Sequence, residues 1–72
     1  MKSTARERKA IAKRFYRLRR KLHLSQEAFA ALIGRKRVAI ANIELAKKYP
    51  QYETLRRFEV FESTHDAPNS AR

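Results

Sequence analysis

The chain has 72 residues, a net charge of +11 and no cysteine. A chain this short buries only ~60% of the surface its unfolded form exposes, so it makes one small domain without a deep catalytic cleft. Thiolate zinc sites and disulfide scaffolds are excluded, and no apolar run approaches the ~20 residues of a membrane span.

The first predicted helix runs from about Thr4 to Leu22, with Ile11, Phe15, Leu18 and Leu22 as a narrow apolar stripe and Lys9, Lys13 and Arg20 on the other side. Residues 1–24 hold ten Lys/Arg against one Glu, a balance of +9; residues 25–50 stand at +3 and residues 51–72 at −1. Such a basic excess in one region points to a polyanionic partner, nucleic acid or an anionic membrane surface. His23 is expected to end the helix in the left-handed conformation.

Ser25 followed by Gln26 and Glu27 is a helix start, with a hydroxyl cap and an acid in the first turn. Phe29, Ala30, Leu32 and Ile33 are its expected buried residues, and Gly34 stops it. A third helix is expected from about Arg37 to Ala46, with Ile40 and Ile43 inward. At roughly 100° per residue, Arg37, Val38, Ala41, Asn42 and Leu45 then face outward together. After Pro50, a fourth helix carrying Tyr52, Leu55, Phe58 and Phe61 is expected to end near Glu62. Residues 1–62 thus form the domain, and 63–72, without an apolar anchor, are expected to be a flexible tail.

The run LRRKLHLSQEAFAALIGRKRVAIANIELAKKYPQYETL resembles the phage repressor/Cro (Xre-like) helix-turn-helix family. The matching positions are Leu18-Arg19, Leu24-Ser25-Gln26-Glu27, Ala30, Gly34, Ile40, Ile43-Glu44, Pro50 and Glu53-Thr54-Leu55. The resemblance implies an all-α, four-helix, lambda-repressor-like domain that reads double-stranded DNA with the third helix. It departs from the family in three places. Arg35 stands where an apolar residue is frequent, Lys36 where Ser or Thr caps the third helix, and Leu45-Ala46 where Asn-Gly is common. The family's fifth helix has no counterpart before the polar tail.

On that reading Arg37 can fork onto guanine, Asn42 can pair with adenine, Val38 can touch a thymine methyl, and Ala41 leaves room for approach. Ser25, Gln26, Arg35, Lys36, Lys47 and Lys48 are the expected phosphate contacts; those at the helix start use free backbone N–H groups. The family implies that Arg19 and Glu44 form a structural ion pair. Tyr49 and Tyr52 stay open between packing and phosphate binding. Nothing catalytic is expected: Ser63, His65 and Asp66 lack a scaffold to orient them. No metal site or cofactor is expected either.

The leading expectation is a cytoplasmic, nucleoid-associated repressor that binds a palindromic operator as a homodimer, with Val60 on the fourth helix at the interface. Two alternatives stay open. One is an antitoxin with a toxin partner; the other is a non-specific RNA or anionic-membrane binder acting through the first helix.

Overall fold

The computed structural model describes residues 3–65. Four helices follow one another: α1 (Ala5–Lys21), α2 (Gln26–Ile33), α3 (Arg37–Glu44) and α4 (Tyr52–His65). No strand occurs among the described residues. The all-α reading of the sequence stands.

Local chemistry sets most of the boundaries. Thr4 opens α1 through a capping box: Glu7 N donates to Thr4 Oγ1 at 3.1 Å, and Thr4 N donates to Glu7 Oε1 at 2.8 Å. At the other end His23 is left-handed, with φ 58°, as its place after Leu22 predicts. Ser25 Oγ accepts from Ala28 N at 3.1 Å and starts α2. Gly34 ends that helix at φ 83°, where a side chain is costly, and Arg35 N closes the turn on Ala30 O at 2.8 Å.

Two ends differ from expectation. α3 stops at Glu44 rather than Ala46, because Leu45 is the cap and Ala46 turns left-handed at φ 62°. Helix α4 runs three residues past Glu62, and Thr64 Oγ1 donates back to Val60 O at 2.9 Å. Ser63, Thr64 and His65 therefore belong to α4; the rest of the expected tail, 66–72, lies outside the described residues.

The core takes Ile11, Phe15 and Leu18 from α1, Phe29, Ala30 and Ile33 from α2, Ile40 and Ile43 from α3, and Phe58 from α4. The Phe15 ring stacks on Phe58 at 4.0 Å and meets Phe29 edge-on at 6.1 Å, which is worth ~1 kcal/mol per pair beyond burial. Leu32 is exposed instead of buried, and Tyr52 is exposed as well. In the first case Ala30 and Ile33 already fill α2's inner face; in the second, α4 enters the core only from Thr54 onward. α3 packs against both α1 and α2, while α4 closes the remaining side and is tied to α1 where Arg14 Nε donates to Glu62 Oε2 at 3.0 Å.

Candidate nucleic-acid interface

Helices α2 and α3 meet across the Gly34 turn, and α3 presents one face away from the core. Its inner side is fixed by Ile40 and Ile43, both buried. On the outer side Arg37 is exposed, Val38 is 57% exposed and Leu45 64%. Ala41 and Asn42 are half-buried, so the outward group is less uniform than a helical wheel predicts. Asn42 lies at the shoulder toward α4, in a cleft shared with Arg35, Val38, Lys48, Tyr49 and Thr54. Its side-chain amide makes no hydrogen bond to another described residue and is left available.

Cations surround this face. Lys36, Lys47 and Lys48 are exposed, and the two lysines after α3 are held by their backbones, since Lys47 N and Lys48 N both donate to Asn42 O. Arg35 is also exposed but leans on the loop before α4, with Nη1 donating to Gln51 Oε1 at 3.3 Å. At α2, Ser25 covers the Ala28 N–H, while those of Gln26 and Glu27, in the helix's first turn, lack intrahelical acceptors and carry the positive end of the helix dipole. Lys36 starts α3 without a side-chain cap.

Behind the face runs a connected set of polar side chains. Arg19 forks onto Glu44, Nε to Oε2 at 2.7 Å and Nη2 to Oε1 at 3.0 Å. The Arg19 and Glu44 side chains are only 13% and 7% exposed. Donating to the Glu44 carboxylate raises the pKa of the Arg19 guanidinium above its ordinary value, against the opposing effect of burial. Gln26 Nε2 donates to Glu44 Oε1 at 3.1 Å, and Gln26 Oε1 accepts from Arg37 Nη1 at 3.5 Å. Both ends of the Gln26 amide are thus engaged by other side chains of the protein, and its backbone N–H, in the first turn of α2, is outside that network.

Arg8 is a residue that reading the sequence passed over. Its Nε donates to Ala46 O at 3.1 Å and its Nη1 to Ser3 O at 2.7 Å, so α1 holds the carbonyl just after α3. The signal was present: Arg8 precedes Ile11 and Phe15 by three and seven residues, which puts an arginine beside the buried stripe. Among the described residues no group of three or more His, Cys, Asp or Glu could hold a metal, and no helix is long and apolar enough to cross a membrane.

A family model described as helix-turn-helix matches residues 15–61, nearly two thirds of the chain and all of α2, α3 and the turn between them. No curated protein and no solved structure matches. The chain belongs to the Cro/C1-type (Xre-like) helix-turn-helix family and is a DNA-binding transcriptional regulator.

Proposed function

We propose that the protein is a repressor that reads a palindromic operator in the major groove with the outer face of α3. The observation that carries this reading is that face itself: Arg37 and Val38 exposed beside the available amide of Asn42, with cations on both sides. Arg37 pairs with guanine N7 and O6, Asn42 with adenine N6 and N7, Val38 rests on a thymine methyl, and Ala41 lets the helix approach closely. Lys36, Lys47, Lys48 and Arg35 hold phosphates, together with the backbone N–H groups of Gln26 and Glu27 at the start of α2, beside Ser25. One eight-residue helix covers few base pairs, so two copies acting on half-sites about one helical turn apart complete the site. Val60, 62% exposed on α4, supports that helix as the contact between copies.

The test separates readers from anchors. An operator is first recovered from a random duplex pool, and affinities are then measured on it and on a scrambled duplex at two salt concentrations. Arg37→Ala or Asn42→Ala should cost about 1–3 kcal/mol on the operator and relax preference at one or two base pairs. Lys47→Ala or Lys48→Ala should weaken both duplexes alike and reduce the salt slope by about one ion. If Asn42→Ala leaves the ratio of the two affinities intact, Asn42 is not a reader.

A further inference from the structure

Much of the positive charge of α1 lies away from the α3 face. Arg8, Arg14 and Arg19 each have protein partners, at Ala46 O, Glu62 and Glu44. Arg6, Lys9, Lys13 and Arg17 do not: all four are exposed, and none forms a hydrogen bond or ion pair with another described residue. At 100° and 1.5 Å per residue they fall within an arc of roughly 80° and a line roughly 16 Å long. That line is on the side of α1 opposite Ile11, Phe15 and Leu18, which are buried. Helix α3 meets α1 on the flank of Arg8 and Arg19, roughly 130° further round, so the line looks away from the reading helix.

This arrangement works against α1. Arg6–Lys9, Lys9–Lys13 and Lys13–Arg17 are like-charge neighbours at three or four residues, which repel on a helix surface. Glu7, the lone acid in α1, sits outside the arc and is held in the Thr4 capping box. A row of repelling cations with no partner among the described residues is relieved by an external polyanion. A bilayer does not fit, because the apolar side of α1 that would insert is committed to the core. Single strands fit poorly, since among the described residues only Tyr16 stands near the line as a stacking platform and Arg19 and Arg20 already lie over its ring. Duplex DNA does fit: its two strands together carry one negative charge per ~1.7 Å of helix axis, a rigid and dense polyanion for a straight row of cations.

We propose that Arg6, Lys9, Lys13 and Arg17 form a second duplex-binding surface, through which a molecule bound by α3 to one DNA segment holds another segment against its back. The inference rests on α3 being the reading helix. An immobilised duplex carrying the selected operator is loaded with full-length protein below saturation and washed, and a labelled scrambled duplex is then added. Wild-type protein should capture the second duplex, with capture falling as salt rises. The variant Arg6→Gln, Lys9→Gln, Lys13→Gln, Arg17→Gln should stay on the operator and capture about tenfold less. The milder Lys9→Gln, Arg17→Gln pair should fall between, guarding against a folding defect in the fourfold change. The proposal is overturned if wild type captures no second duplex, or if the fourfold variant captures as much. It is also overturned if that variant loses its hold on the operator to the same extent, because the line then belongs to the first duplex. Wild-type protein that no duplex retains would instead bring down the reading of α3, and this inference with it.

Discussion

Arg37 and Glu44 are joined by one side-chain amide: Gln26 accepts from Arg37 Nη1 at 3.5 Å and donates to Glu44 Oε1 at 3.1 Å. An exposed arginine at the start of α3 is thereby tied to the buried carboxylate at its end. Gln26→Leu should free Arg37, weakening operator binding by about 1 kcal/mol and blurring preference at the base pair Arg37 faces. Affinity for a scrambled duplex should hold steady. Equal losses on both duplexes in a titration would show that Gln26 acts on the DNA backbone and not by orienting Arg37.

Glu44→Ala leaves the Arg19 charge largely buried without its carboxylate, with the Leu24 carbonyl still accepting from it at 3.0 Å, which should cost on the order of 3 kcal/mol. That is a large share of the stability of a domain this size, and it should appear in thermal melting. Because the Glu44 hydrogen bond raises the proton affinity of Arg19, this contribution is complete below the ordinary arginine range and is lost only as pH rises through the raised value. The wild-type melt should therefore show no loss from this arginine between about pH 6 and 9. An unchanged midpoint in Glu44→Ala would mean the pair adds nothing.

Ala46 holds a left-handed turn at φ 62° that glycine adopts freely. Ala46→Gly should stabilise the protein by about 1 kcal/mol, raising the melting midpoint by roughly 4–8 °C. The Arg8 hydrogen bond goes to the carbonyl of that residue and survives the change. A lower midpoint would mean that the alanine methyl contributes more to packing than the turn loses in strain.

Gly34→Ala should act in the opposite sense. The added methyl would sit at φ 83° and collide with Arg57 Nη1, which donates to Ile33 O at 3.2 Å. The backbone conformation alone costs about 1–2 kcal/mol. Adding Arg57→Ala to that variant should recover only the part due to the clash. Recovery of the full wild-type midpoint in denaturant would locate the whole cost in the side chain.

Lys36→Ser should separate stability from DNA affinity. Lys36 occupies the N-cap of α3 and provides no side-chain acceptor. Serine there should add about 1 kcal/mol to stability. Binding to every duplex should weaken with the loss of one phosphate contact, flattening the salt slope by about one ion. Stability without weaker binding would place Lys36 outside the DNA contact.

The parts of the fold that chain neighbours decide are legible in the sequence. Periodicity located the four helices, Ser25 marked the start of α2, Gly34 its end, and His23 the left-handed turn. The missing cap at Lys36 was equally plain. The Thr4–Glu7 box could have been read at its spacing of three, and was not. The rest depends on distant partners. That Gln26 turns inward follows from where α1 carries Arg19 and α3 carries Glu44, twenty-five residues apart, and no local pattern contains that distance. The half-buried place of Asn42 likewise reflects the approach of the Tyr49–Thr54 segment, which a helical wheel drawn for α3 alone omits.

Helix α3 is eight residues long, begins at a lysine that caps nothing and ends beside a strained alanine. Helices this short are marginal in water even with favourable sequences. Its shape is borrowed: Arg8 grips the carbonyl past its end, Arg19 and Gln26 hold its last carboxylate, and the core holds Ile40 and Ile43. A synthetic peptide spanning 34–48 would be a random chain, and grafting those residues onto another scaffold would not transplant their specificity. Any re-engineering of what the helix recognises has to leave Arg8, Arg19 and Gln26 in place, because the alphabet can be changed only while the hand that holds the pen stays still.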